Sequence, residues 1–426
     1  MRSDGRLTAW VSRLAMLSIL LILAPAAWAD SKYKVLYQFK GGNDGIDPVG
    51  NLVFDTAGNL YGTTAEGGGA SACKGTYNGC GIVFQLLPRS SGYWKENVLY
   101  SFQNGGSGGI GLNGSLVFDA AGNLYGTTFS GGTNFEGSVF ELTPSSGVWT
   151  EKDLYRFCQA GCNDGQSPGT GVIFDDAGNL YGTTTQGGKG GGVIFKLAPD
   201  NGSWTESVLY NFCPYHTCSG GWLPVGLIRG TSGNLYGVTA WGGNYFWPCT
   251  PGVGCGAVFE LSPSSSGWTY NVLHRFTGRD GAFANSGVIQ DKQGNVYGAT
   301  TADGAFGCGT VFELSPKADG GWRYNVLYNL RDGLSAGSLA IDSGGNLYGG
   351  SSGGMTGTCP GAAYSEIFKL TPAAFGHWKY SSVHKLSGGQ GGGSPSSGLI
   401  FDKQDNLYGT ASGGAYGYGV VFELAP

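Results

Sequence analysis

From residue 33 onward the chain alternates short apolar runs with polar, glycine-rich breaks, and the order of the runs repeats. A first run ends in Asp, as in Leu52-Val53-Phe54-Asp55, Val172-Ile173-Phe174-Asp175 and Leu399-Ile400-Phe401-Asp402. A second reads Asn-Leu-Tyr-Gly, as in Asn59-Leu60-Tyr61-Gly62. A third reads Val-Phe-x-Leu from Val83, Val139, Val258, Val311 and Val421, with Ile leading at Ile194 and Ile367. A fourth starts at a Trp and closes on a Leu-Tyr-x-Phe-like string. Short runs rich in Val, Phe, Tyr and Leu between turn residues predict β-strands. Gly and Pro recur too often for helices. We label the four strands A, B, C and D. The Asp-x-x-Gly-Asn string between A and B predicts a tight hairpin turn, with Gly where φ is positive.

The strand B tyrosines are Tyr61, Tyr125, Tyr181, Tyr236, Tyr297, Tyr348 and Tyr408, spaced 51 to 64 residues apart. The strand D tryptophans are Trp94, Trp149, Trp204, Trp268, Trp322 and Trp378. Self-similarity at this period, with four strands per unit, predicts an all-β, seven-bladed β-propeller of four-stranded blades. The repeat opens on Val35-Leu36-Tyr37-Gln38-Phe39, a D strand with no A, B or C before it. It stops at Val421-Phe422-Glu423-Leu424-Ala425-Pro426, a C strand with no D after it. We therefore expect a ring closed by the N-terminal strand completing the last blade, which leaves no open edge strand.

These Gly-Asn-Leu-Tyr-Gly-Thr-Thr…Gly-Gly…Val-Phe-x-Leu-x-Pro units resemble the tandem-repeat family first noted in Gloeobacter and Verrucomicrobia, the choice-of-anchor GloVer repeat proteins. The likeness covers residues 33–426. It implies an exported bacterial protein with a propeller-like ring and leaves the biochemical function open. Members of that family often carry a C-terminal sorting or anchoring segment, whereas this chain ends on its last repeat. A weaker likeness to kelch repeats lies in the double glycine after strand B (Gly131-Gly132, Gly187-Gly188, Gly242-Gly243), without the kelch Tyr and Trp spacing.

Glycine makes up 82 of the 426 residues, against roughly 7% in average proteins. No Gly-X-Y period supports collagen. With 13% aromatic, 41% hydrophobic and only 12% charged residues, the chain lacks the signature of disorder. The glycines instead fall at the repeated turns. The start reads as a secretory signal peptide over residues 1–29, before a single propeller domain over 30–426. Arg2, Arg6 and Arg13 precede the apolar run Leu14–Leu23, and Ala27-Trp28-Ala29 supplies an A-x-A cleavage site. That run is too short to span a bilayer, so no transmembrane segment is expected after cleavage. Cleavage removes three Arg and Asp4, taking the net charge from −5 to −7. With no basic stripe, nucleic acid is not an expected partner.

All ten cysteines follow the signal segment. In an exported chain an even count predicts disulfides. We expect local pairs Cys73–Cys80, Cys158–Cys162, Cys213–Cys218 and Cys249–Cys255, each contributing roughly 2–3 kcal/mol. Cys308 and Cys359 hold complementary positions in two successive units and are expected to bridge neighbouring blades. Only His216 lies near a cysteine pair, so neither a zinc site nor any cofactor is expected.

In an up-and-down blade the A–B and C–D turns share one face, and the B–C and D–A loops share the other. The first pair is short and uniform along this chain, whereas the second varies, and function tends to sit in variable loops on a rigid scaffold. Beyond the six strand D tryptophans and those of the signal segment, three remain: Trp222, Trp241 and Trp247, in the loops of the fourth unit. With Tyr245 and Phe246 they form a candidate ligand-binding set, because flat aromatic surfaces with a polar rim suit sugar rings. The other reading is an aromatic cluster that holds a long disulfide-closed loop. Asp44, Asp164, Asp280 and Asp332 each precede Gly in D–A loops. They read as turn residues, or as oxygen ligands for a metal such as Ca²⁺ near the axis. No G-x-S-x-G, H-E-x-x-H or P-loop motif appears. The readings are a secreted monomeric propeller that binds a glycan or surface protein, a glycosidase or lyase using acids such as Glu66, Asp44 and Asp164 near the axis, and a purely structural repeat protein.

Overall fold

The computed structural model describes residues 32–69, 78–90, 92–103, 109–132, 134–159, 161–213, 218–246, 249, 252–331, 334–353, 359 and 364–425. Seven four-stranded antiparallel blades follow one another in strand order A-B-C-D. Blade 1 is Ile46–Phe54, Leu60–Glu66, Ile82–Pro88 and Trp94–Ser101. Blade 2 is Val117–Phe118, Leu124–Thr128, Ser138–Ser145 and Val148–Arg156. In blade 3 strand A is split into Gln166–Pro168 and Ile173–Phe174, followed by Leu180–Gln186, Val193–Asp200 and Ser203–Asn211. Blade 4 is Trp222–Arg229, Leu235–Trp241, Ala257–Ser264 and Gly267–Arg275. Blade 5 is Ile289–Gln290, Val296–Ala299, Thr310–Pro316 and Trp322–Asn329. Blade 6 is Leu334–Ile341, Leu347–Ser352, Ser365–Pro372 and Trp378–Leu386. Blade 7 takes A, B and C from Ile400–Phe401, Leu407–Ala411 and Val420–Ala425, and its D from Lys32–Gln38 near the start of the chain. Tyr33 pairs with Leu424 and Val35 with Phe422, so the expected ring closure is present.

Strand D carries a bulge that simple alternation does not show. In blade 1 Val83 pairs with Tyr100 and Phe84 with Val98, which leaves Leu99 as an extra residue. The same bulge recurs at Leu36, Leu154, Leu209, Leu273, Leu327 and Val383. It explains the adjacent apolar pair in Val-Leu-Tyr, because a bulge re-aims the side chains that follow it.

The core lies between blades rather than within them. Among the described residues seven apolar clusters each join two consecutive blades, including one across the closure that joins Leu36, Phe39, Tyr408 and Val421 to Leu52, Ile82 and Phe84. The Phe ending strand D packs edge-on against the strand C Phe of the next blade. Phe102 meets Phe140, and Phe157 meets Phe195, with centroids 5.0 Å apart. That strand C Phe also lies over the strand B glycine of its own blade. A Cβ on Gly182 would sit 2.5 Å from Phe195 Cζ, which is why Tyr-Gly and Val-Phe travel together.

Strand A lines a central cavity of about 720 Å³. There the blades meet backbone to backbone. A Cβ on Gly171 would lie 2.1 Å from the carbonyl oxygen of Ser115 in the preceding blade, and one on Gly337 would lie 2.2 Å from that of Ser397 in the following blade.

Candidate functional site

The two faces of the ring are built differently. On the A–B turn face Asp55 accepts hydrogen bonds from the backbone N–H of Ala57 and Asn59, both at 2.9 Å, from Asn59 Nδ2 at 2.7 Å and from Tyr61 Oη at 3.0 Å. Asp119, Asp175, Asp291, Asp342 and Asp402 accept the corresponding set, allowing for the residue present at each turn position. Blade 4 has Gly230 in place of the Asp, and Asn234 and Tyr236 donate to Glu260 instead, at 2.7 and 3.0 Å. Burial alone would raise the carboxyls of Asp55, Asp119 and Asp175, but these donors hold them below the ordinary value. This face is one turn repeated.

The B–C and D–A loops form the other face, and the disulfides cross-link it. Cys158 is joined to Cys162, Cys213 to Cys218, and Cys249 to Cys255. Cys308 in the B–C loop of blade 5 is joined to Cys359 in that of blade 6, with Cα atoms 4.7 Å apart. Cys73 lies outside the described residues, while Cys80 is disulfide-bonded.

The aromatic set of blade 4 divides by depth. Trp222 opens strand A and sits in register with Trp241, the last residue of strand B. Their rings meet at 4.4 Å and 70°. Trp222 is only 4% exposed, so it supports Trp241 from beneath and withholds its own ring from solvent. Trp241 is half-buried. Tyr245 Oη accepts from Cys218 N at 3.1 Å and donates to Cys218 O at 3.3 Å, pinning the B–C loop to the D–A loop beside it. Phe246 is 82% exposed. Its backbone N–H donates to Asn244 Oδ1 at 3.1 Å. Trp247 lies outside the described residues.

Exposed rings also occur where the sequence analysis singled none out. Phe135, Phe306, Tyr416 and Tyr418 stand in the B–C loops of blades 2, 5 and 7. Phe135 has φ 60°, and the side chain of the preceding Asn134 donates to Cys158 O at 2.6 Å. The Arg331 guanidinium lies 4.3 Å from the Phe306 ring centroid. Ala415 N donates to Gln38 Oε1 at 2.7 Å, anchoring the loop that carries Tyr416. Two further exposed rings, Tyr93 and Phe375, lie in C–D turns on the opposite face. An alignment of the units on the double glycine after strand B would have found the loop rings, since each follows it by two to five residues in blades 2, 4 and 7.

The D–A loop aspartates turn away from the axis and toward strand D, the outermost strand. Asp44 accepts from Tyr37 Oη at 3.0 Å and Lys40 N at 2.7 Å. Burial raises its carboxyl. Asp164 accepts from Tyr155 Oη at 2.8 Å and Cys158 N at 3.2 Å. Asp280 bonds His274 Nε2 at 2.9 Å and accepts from Thr277 N at 2.7 Å. Burial opposes its ionisation, but the His274 and Thr277 donors hold it below its ordinary value. Each carboxylate therefore closes its own loop onto a strand D side chain. Asp332 and His216 lie outside the described residues. Among the described residues no group of three or more His, Cys, Asp or Glu is placed to hold a metal ion. Glu66 accepts from the Asn78 side chain at 3.1 Å.

One face made of a repeated capped turn and one made of variable, cross-linked loops define a seven-bladed β-propeller of the tandem-repeat kind. The chain belongs to the Gloeobacter/Verrucomicrobia repeat family, whose profile matches residues 69–246 and 207–422. No curated protein matches the sequence. Among solved structures it is similar to a protein from Lactobacillus plantarum, at 12% identity over 83% of this chain and 97% of that one, with a TM-score of 0.49. It is also similar to a candidate oxidoreductase (glucose dehydrogenase) from Thermus thermophilus, at 14% identity over 92% and 99%, with a TM-score of 0.43. A protein of unknown function from Dyadobacter fermentans matches at 10% identity over 93% and 98%, with a TM-score of 0.44.

Proposed function

We propose that this is an exported binding propeller that recognises a glycan or another cell-surface ligand through its loop face. The observation that carries the reading is the placement of exposed rings. Phe135, Phe246, Phe306, Tyr416 and Tyr418 all stand in B–C loops of that face, on loops tied down by hydrogen bonds or disulfides. A ring held in water by an ordered loop forgoes the stabilisation of burial unless a ligand covers it. The C–H faces of sugars stack on such rings. The B–C loops of blades 2, 4, 5 and 7 carry only Glu136 and Asp303 as charged residues, which suits a neutral glycan better than a polyanion. In blade 4, Trp241, Tyr245 and Phe246 make the contact surface, with Trp222 beneath. The signal segment over residues 1–29 and the disulfides support an extracytoplasmic location.

The test is a panel of neutral and charged glycans, read with the wild type, a Trp241→Ala/Phe246→Ala variant and a Phe135→Ala variant. The wild type is expected to bind a neutral glycan, and the double variant to lose about tenfold or more in affinity, equivalent to about 1.4 kcal/mol. A wild type that binds nothing, or variants that bind equally well, would overturn the reading.

A further inference from the structure

Each blade interface contains one contact between neighbouring D strands. It joins the residue two places after the strand D Trp, or Tyr33 in blade 7, whose strand D has no Trp, to the Tyr or His that follows the bulge in the preceding blade. In four interfaces the contact is a parallel ring stack. Tyr270 lies on Tyr210 at 4.0 Å and 6°, and Tyr324 on His274 at 3.6 Å and 7°. Tyr380 lies on Tyr328 at 4.6 Å and 13°, and Tyr33 on His384 at 4.0 Å and 3°. In the three other interfaces, which are contiguous, the ring is replaced by Glu96, Glu151 and Glu206. Tyr100 Oη lies 3.4 Å from Glu151 Oε2. In all three glutamates Oε1 is buried and has no hydrogen-bond partner among the described residues.

The surroundings of these carboxyls are acidic. Glu96 faces Asp44, Tyr37 and Lys40. Glu151 faces Asp153, Tyr100 and Arg156, and Arg156 is itself paired with Asp153 at 2.7 Å. Glu206 faces Asp164 and Tyr155, and Tyr155 is committed to Asp164. An ionised glutamate at any of these places would lie half-buried beside a second carboxylate. A protonated one fills the same space as a neutral group. We propose that the arc from strand D of blade 7 to blade 3 is held by protonated glutamates and forms a pH-responsive seam, which loosens when they ionise, in a ring whose other interfaces are ring stacks.

This goes beyond the binding reading and stands apart from it. Burial, reinforced by Asp44, Asp153 and Asp164 respectively, pushes Glu96, Glu151 and Glu206 up to about 7. The folded chain therefore keeps protons that the unfolded chain loses above its ordinary value of 4.5. Stability from this source is full below that value, falls as pH rises toward 7 and is flat above it. Burial lowers the His384 imidazole below its ordinary value, which adds a separate loss at acid pH, so the comparison must be against a variant rather than within one profile.

The experiment is thermal unfolding of the disulfide-intact protein from pH 5 to pH 8. It compares the wild type with Glu96→Gln/Glu151→Gln/Glu206→Gln and with single Glu206→Tyr, which copies the stack made by Tyr270. The wild-type midpoint is expected to fall by about 3 °C or more beyond any fall in the triple variant. Glu206→Tyr is expected to remove about a third of that excess, and it remains decisive if the triple variant does not fold. Wild-type slopes in both variants, or in Glu206→Tyr alone where only it folds, would overturn the proposal.

Discussion

Tyr61 and Trp149 meet across the boundary between blades 1 and 2, their ring centroids 6.5 Å apart at 65°. Phe118, in the same blade as Trp149, also meets Tyr61 edge-on at 4.9 Å, and the Tyr61 hydroxyl donates to Asp55 and accepts from Gln85 Nε2 at 2.6 Å. The same grip recurs at Tyr125 with Trp204, Tyr236 with Trp322 and Tyr297 with Trp378. Trp149→Ala is expected to cost about 2–3 kcal/mol by emptying this contact. Tyr61→Phe keeps the ring, and is expected to cost about 1 kcal/mol for the lost hydroxyl bonds. Urea unfolding of both variants checks the order.

The capped turns set the acid limit. The carboxyls of Asp55, Asp119 and Asp175 lie below the ordinary value of 3.8 because their hydrogen-bond donors outweigh burial. Stability from them is present above that value and is lost as pH falls through the folded value. The urea midpoint is expected to drop as pH falls below the ordinary value of 3.8. Asp55→Asn is expected to lower it at pH 6 and to make the acid drop shallower.

Gly171 and Gly337 test how the blades meet at the axis. Neither Gly171→Ala nor Gly391→Ala places a side chain on a left-handed backbone, but only the first meets a neighbour, Ser115 O at 2.1 Å. We expect Gly171→Ala to destabilise by about 3 kcal/mol or more through overpacking. Gly391→Ala is expected to stay within about 0.5 kcal/mol of the wild type. Gly337→Ala should resemble Gly171→Ala. Thermal midpoints and size-exclusion profiles separate the two classes.

The bridge between Cys308 and Cys359 closes 51 residues of sequence across two blades. Cys308→Ser/Cys359→Ser is expected to lose about 3 kcal/mol, more than Cys213→Ser/Cys218→Ser, whose loop is ten times shorter. Guanidinium titrations of the two variants give the comparison.

Much of the ring was legible because each unit writes the same residues at the same stations. The Tyr-Gly of strand B recurs in all seven units, the Asp-capped turn in six, and the Val-Phe of strand C in five with Ile-Phe in the other two. The bulge at Leu99 was not legible, since two adjacent apolar residues also fit a fully buried strand. Contacts between blades were hidden for a related reason. Glu96 and Tyr270 occupy equivalent places, yet what they touch belongs to the preceding blade, some fifty to sixty residues earlier. On the loop face composition marked the surplus tryptophans, while burial decides otherwise for Trp222. Phe135 and Tyr416 were lost among 45 Phe and Tyr residues, most of which serve the interfaces.

The closure of blade 7 also orders events in time. Strand Lys32–Gln38 is synthesised before every other strand of the ring, and its partner Val420–Ala425 after all of them. Every other strand D follows its own strand C within a hairpin, so six blades can complete in sequence order, while the seventh waits for Val420–Ala425. Contacts of such sequence separation form late. Until then Lys32–Gln38 is an unpaired edge that other chains can join. A polypeptide cut short before Val420 would carry that edge permanently, so quality control has one specific segment to recognise.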